Sequence, residues 1–135
     1  MKVVIDSNVI FSGLYSSRGA SFQVLRAVQM KMLEVGLSVA LYEEYVDVLN
    51  RAAMREILSD EERETFLDFF CERSVLLDVF YLWRPFLKDP KDDLVLEAAV
   101  AFGADAILTY NIKDFKGCEM YGIRILKPSD YLRDC

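Results

Sequence analysis

A three-layer α/β domain with a mainly parallel central sheet is the fold class the sequence predicts, on three observations. Short apolar runs rich in β-branched residues recur along the chain, segments with helical apolar spacing fall between them, and cap or turn residues separate the two kinds. Strands that alternate with helices need crossover connections, which leave the strands parallel and the helices on the faces of the sheet. The length of 135 residues predicts a single domain over residues 1–135, long enough to bury a core.

Taken in order, Lys2 to Ile5 reads as a buried strand, because β-branched residues follow one another without polar alternation. Polar residues and Gly13 follow, and Ser16-Ser17-Arg18-Gly19 marks a loop. A helix is predicted from about Ser21 to Leu33, where Phe22, Leu25, Val28 and Met32 keep helical spacing, with Gly36 as its stop. Leu37 to Ala40 is a second strand. Leu41 to about Ala53 is helical, with Leu41, Tyr45, Val48, Leu49 and Ala52 on one face. Ser59 followed by Glu62 is a capping box that opens a helix running to about Cys71. Val75 to Val79 is a strand, and the aromatic stretch from Phe80 to Phe86 reads as core rather than interface. Asp89-Pro90, a cap followed by proline in the first turn, opens a further helix that ends at Gly103. Ala106 to Thr109 and Ile123 to Leu126 are strands, with a loop from Tyr110 to Gly117 between them, and Pro128 to Leu132 is a short closing helix.

Composition narrows the chemistry. The chain has no histidine, which excludes imidazole catalysis and His-ligated zinc. Cys71, Cys118 and Cys135 are odd in number and form no C-x-x-C pair, so reduced thiols in a cytoplasmic protein are expected. No apolar run has the length of a membrane span, and the first one breaks at Asp6 too early for a signal peptide. The net charge of −6 has the wrong sign for a plain phosphate binder, unless several acids are gathered around divalent cations.

Such a gathering is visible. Asp6 directly follows the opening strand, at the carboxyl edge where α/β sheets bind ligands. Among the acids of the helix that begins at Leu41, about 100° per residue puts Glu43 about 200° and Asp47 about 240° from Leu41, both away from the apolar face. Glu44, at about 300°, falls on the shoulder of that face, where a carboxylate can cross a cleft. The helix after Asp89-Pro90 is apolar nearly all round, which marks a buried helix. Its one polar stripe begins at Asp93 and continues at Glu97, an auxiliary acid; Asp92 is accounted for by the helix dipole. Asn111 and Asp114 follow the Ala106–Thr109 strand and reach the same edge. Acids so collected repel one another and hold on to protons; Mg²⁺ or Mn²⁺, which take oxygen ligands and bridge to phosphate, resolve that conflict. The chemistry expected of the cluster is metal-assisted phosphodiester hydrolysis.

In this order the residues resemble the PIN-domain family over essentially the whole chain. Val3-Val4-Ile5-Asp6-Ser7-Asn8-Val9 is similar to its opening strand and first acid, and Glu44-Tyr45 before Val48-Leu49 to its second. Asp89-Pro90-Lys91-Asp92-Asp93-Leu94-Val95-Leu96-Glu97 resembles the third-acid segment, with Asp93 matching the acid before the apolar stretch. Leu108-Thr109-Tyr110-Asn111-Ile112-Lys113-Asp114-Phe115 and the closing Ile123–Leu132 segment complete the likeness. The resemblance implies a PIN-like sheet flanked by helices and a Mg²⁺- or Mn²⁺-dependent endoribonuclease, often the toxin of a toxin–antitoxin pair, commonly a homodimer held inactive by a small antitoxin. Carried over, Asp6, Glu44, Asp93 and Asp114 would bind metal, and Asn8 and Asn111 would orient ligands or substrate. Arg18, Arg51, Lys113 and Lys116 are candidates for contacting the phosphates of single-stranded or structured RNA. Two other readings start from the same residues. A haloacid-dehalogenase-like phosphatase would need an aspartate where the chain has Asn8. A PIN-like RNA-binding or scaffolding module would keep the fold without cutting.

Overall fold

The computed structural model describes residues 1–79 and 86–134; the aromatic stretch beginning at Phe80 lies mostly outside them, as does Cys135. Five strands form one sheet: β1 (Lys2–Ile5), β2 (Glu34–Ser38), β3 (Ser74–Leu77), β4 (Ala106–Leu108) and β5 (Arg124–Leu126). Their order is β3-β2-β1-β4-β5, with each described pair parallel. The chain therefore builds outward from β1 to one side, then returns to β1 and builds outward to the other. The reversal lies between β1 and β4, where an α/β sheet opens a crevice at its carboxyl edge. Val3, Val4, Ile5, Ala106, Ile107 and Leu108 are fully buried there and fix the two strands side by side.

Seven α-helices accompany the sheet in the described residues: α1 (Ser7–Tyr15), α2 (Ala20–Gln29), α3 (Val39–Leu49), α4 (Ala52–Arg55), α5 (Asp60–Arg73), α6 (Pro90–Phe102) and α7 (Pro128–Asp134). The predicted α/β class holds, with a parallel sheet and flanking helices. The punctuation of α5 and α6 is as read. Ser59 and Glu62 exchange both capping-box hydrogen bonds, at 3.1 and 2.9 Å. Asp89 caps α6 by accepting from the Lys91 amide at 2.9 Å, Pro90 occupies the first turn, and Gly103 closes the helix at φ 67°.

Helix α1 has no counterpart among the sequence-based expectations: the Asp6 carboxylate accepts from the Ser7 amide at 2.8 Å and caps it, and it buries Val9 and Ile10. Gly13 belongs to that helix because α2 passes so close that a Cβ there would lie 2.6 Å from Leu25 Cδ1. The second helix does not reach Leu33. It ends at Gln29, and the chain turns at Lys31, whose φ is 59°. Gly36 is therefore no helix stop but a residue inside β2, where a Cβ would meet the Phe102 ring at 2.7 Å. Strand β2 consequently ends at Ser38 rather than Ala40, and Ser38 caps α3 by accepting from the Leu41 amide at 3.1 Å.

Helix α6 packs against β1, β2, β3 and β4. Its Val95, Leu96, Ala98, Ala99 and Phe102 are in the core, and so are the acids Asp92, Asp93 and Glu97. Helix α3 packs against α6, so the two helices carry their acids to the same region of the sheet. Tyr45 of α3 is fully buried, and its hydroxyl donates to the Ile5 carbonyl. That bond ties the residue next to Glu44 to the residue next to Asp6.

Candidate active site

At the reversal point, a polar cleft of about 310 Å³ opens beside the carboxyl ends of β1 and β4. It is lined by Asp6, Asn8, Glu44, Arg51, Asp89, Lys91, Asp92 and Asn111, among others. Four stretches of chain deliver these groups: the β1–α1 junction, α3 with its following turn, the start of α6, and the chain after β4.

Asp6 is the most constrained member. Its amide donates to the Leu108 carbonyl at 2.9 Å, extending the β1–β4 pairing by one residue. The Asp6 Oδ1 accepts from the Ser7 amide at 2.8 Å, and Oδ2 accepts from the buried Thr109 hydroxyl at 2.6 Å. The Thr109 Oγ1 in turn accepts from the Asn111 amide at 3.0 Å. Burial raises the Asp6 pKa above its usual value, offset by the hydrogen bonds from Thr109 and Ser7, with the charges of Asp114 and Asp89 adding to the rise.

Glu44 faces the cleft as the helical geometry predicted, whereas Glu43 and Asp47 are exposed and do not line it. The Glu44 side chain is 12% accessible, and its Oε2 stands 3.9 Å from Lys91 Nζ. Burial raises its pKa; Lys91 and Arg51 pull it down, and Asp47 and Asp6 push it up.

In α6, the selection of Asp93 over Asp92 does not match the geometry. Asp92 lines the cleft, while Asp93 turns to accept from the Leu87 amide at 2.9 Å and is 2% exposed. Burial first, and then Asp6, Asp89, Asp114 and Asp93, raise the Asp92 pKa to about 7. Glu97 is buried but belongs to a different cavity, of about 410 Å³, which it lines with Glu43, Leu77 and Leu94. Asp114 is exposed and outside the cleft lining, yet its charge raises both Asp6 and Asp92. Asn8 accepts from the Tyr110 amide at 3.3 Å and so steadies the chain after β4, and the exposed Asn111 lines the cleft beside it. Of the basic candidates, Arg51 lines the cleft; Arg18, Lys113 and Lys116 are exposed elsewhere.

Sequence reasoning missed four members. Asp92 was assigned to the helix dipole, Asp89 only to its cap, and Thr109 and Lys91 to no role. The available signal was the i, i+3 spacing of Asp89 and Asp92, which puts both on one face of the first turn.

Residues 2–113 match the PIN domain family, and the chain belongs to it. Members of that family are nucleases that use divalent metal ions. A search of curated proteins gave no match. Among solved structures the chain is similar to one in the crystal structure of VapBC2 from Rickettsia felis bound to a DNA fragment from their promoter. The TM-score is 0.64 at 18% identity, over 94% of this chain and 98% of that one. That likeness extends the family fold beyond residue 113.

The cleft's donors suit a hard divalent ion. The carboxyls are oxygen donors, and three of them have raised pKa values, each through burial first and then partly through other acids, a repulsion that a dication relieves. Among the described residues no three acidic or thiol groups form a ready ligand cage. One or two carboxylates with water and phosphate making up the remainder is the way Mg²⁺ is ordinarily held.

Proposed function

We propose that this protein is a Mg²⁺- or Mn²⁺-dependent endoribonuclease, the toxin partner of a small antitoxin, acting in the cytoplasm. The carrying observation is the meeting of Asp6, Glu44 and Asp92 in one polar cleft at the sheet's reversal point. Family membership supports the nuclease chemistry. The similarity to a chain of VapBC2 supports the antitoxin pairing. A homodimer, implied by the family resemblance, is part of this reading and is read out by light scattering.

In this reading Asp6, Glu44 and Asp92 would hold the ion, one or two of them directly and the rest through water, and the charge of Asp114 adds to the cleft from outside its lining. When bound, the ion supplies activation of a water and stabilisation of the leaving oxygen. The chain supplies position. Thr109 and the Ser7 amide keep the Asp6 carboxylate in one rotamer, and Tyr45 holds α3 at a fixed distance from β1. Asn8 fixes the Tyr110 amide, and Asn111 stands at the wall where the RNA backbone would pass. Asp92, whose pKa is raised to about 7, would hold the ion in its ionised form.

The test is cleavage of single-stranded RNA by purified protein with Mn²⁺. Asp6→Asn and Asp92→Asn are expected to abolish it, and chelation likewise. Cutting that survives chelation would remove the mechanism. Metal-independent RNA binding without cutting would favour the scaffolding reading.

A further inference from the structure

Lys91 has no explanation in the fold. It sits in the first turn of α6, where a positive charge opposes the helix dipole and acids are preferred. Its backbone is fixed: its amide bonds to Asp89 Oδ1 and Pro90 precedes it. Only the side chain is free to choose a direction. It does not extend into solvent away from the cleft. Its ammonium reaches across to Glu44, on another helix, and stops 3.9 Å from Oε2, beyond hydrogen-bond distance. The two ends of this pair differ greatly in exposure, 56% for the Lys91 side chain and 12% for that of Glu44. The half-solvated ammonium regains little water by leaving, whereas the nearly buried carboxylate it leaves needs another cation in its place.

We infer that Lys91 is a resident counter-ion of the cleft: it neutralises Glu44 while no divalent ion is bound, and moves to a substrate phosphate when one arrives. This rests on the proposed metal-dependent nuclease reading and adds a residue to it. Both halves follow from one fact, that a single ammonium lines the same cleft as Asp6, Glu44 and Asp92. While it pairs with Glu44 it competes with a dication for that carboxylate. Once displaced, it is a positive group lining a cleft where a bound dication would also attract phosphate, and Lys is suited to phosphate as a mobile point charge. Arg51 lines the same cleft and also lowers the Glu44 pKa, so Glu44 keeps one cation when Lys91 leaves.

The experiment uses the full chain with Lys91→Met, which keeps the aliphatic stem and removes the charge, beside Lys91→Arg, which keeps the charge. Mn²⁺ affinity is measured by calorimetry without RNA, and affinity for a short single-stranded RNA is measured in Ca²⁺. The Met variant is expected to bind Mn²⁺ about 3- to 10-fold more tightly and RNA about 3- to 10-fold more weakly, opposite changes from one substitution. The Arg variant is expected to stay near wild type in both. Unchanged Mn²⁺ affinity in the Met variant overturns the counter-ion role, and unchanged RNA affinity overturns the phosphate role. Changes of both affinities in the same direction overturn the exchange between them. Wild-type protein that binds no Mn²⁺ would instead overturn the metal-dependent reading beneath it.

Discussion

Two clefts share the same pair of helices, and they differ in almost everything else. From α3 and α6, the polar cleft takes Glu44, Val48, Lys91 and Asp92; the other takes Val39, Ala40, Glu43, Leu94 and Glu97. The larger cavity is edged by the outer strand β3, through Leu77, and is mainly aliphatic. The smaller one sits where the sheet reverses and is fed by residues that follow β1 and β4. Size does not distinguish a site here. The larger cavity also has acids from several segments, Glu43, Asp78 and Glu97. What distinguishes the polar cleft is that Asp6, Glu44 and Asp92 each have their proton affinity raised by burial and by other acids. Glu97 and Glu43 occupy the same helices as Asp92 and Glu44, but on faces that look away from the reversal point.

Breaking the polar cleft should have the largest effect. Asp6→Asn or Asp92→Asn is expected to slow Mn²⁺-dependent RNA cleavage by about 100-fold or more, a loss of roughly 2.7 kcal/mol of transition-state stabilisation. Steady-state cleavage of a labelled oligonucleotide measures it.

A pH effect comes next. The Asp92 pKa is raised from 3.8 to about 7 in the folded chain, so the folded state binds the proton more tightly than the unfolded one. Its stabilisation is complete below about pH 4 and is lost as pH rises through about 7, by up to a few kcal/mol. Asp92→Asn should flatten that decline in urea titrations at a series of pH values. For the same reason Mn²⁺ should raise the melting temperature of the wild type more at pH 8 than at pH 6. Equal metal-induced shifts at both values would contradict proton release from the cleft.

Asp93 separates structure from chemistry within one helical turn. Its carboxylate holds the buried Leu87 amide, and Asp93→Ala leaves that donor unsatisfied at a cost of about 1–3 kcal/mol. Thermal unfolding should show the loss, with Mn²⁺ affinity much less affected than in Asp92→Asn. The reverse ranking would return the metal role to Asp93. Smallest of all, Glu43→Gln on the exposed side of α3 is expected to change stability by less than about 0.5 kcal/mol and RNA cleavage within error.

The fold was legible wherever a local rule carried the information. The Val3-Val4-Ile5 run, the Ser59–Glu62 box and the Asp89–Gly103 punctuation each act within a few residues, and each appears in the structure. Gly36 misled because its reason is a distant partner, the Phe102 ring, and Gly13, set by Leu25, likewise carries no local signature. The cleft was legible through Asp6 and Glu44, where an abrupt strand end and a one-sided helix point the way. It was not legible in α6. The one polar stripe of this helix, Asp93 and Glu97, is itself buried and does not line the cleft, so Asp92 and Asp93 could be ordered only by seeing which one meets the Leu87 amide. Thr109 was invisible for another reason: a strand-end threonine has no signature until its hydrogen-bond partners are in view.

That threonine gives the cleft a direction. Its oxygen receives the Asn111 amide hydrogen and its own hydrogen points to Asp6 Oδ2, while Oδ1 is met by the Ser7 amide. Both oxygens of Asp6 are thus approached by donors from the protein side, each leaving one further lone pair. Neither proton nor cation can reach those from behind. Whatever neutralises this carboxylate must come in through the mouth of the cleft, so Asp6 works as a one-sided electrode, wired to the scaffold on one side and open to solution on the other.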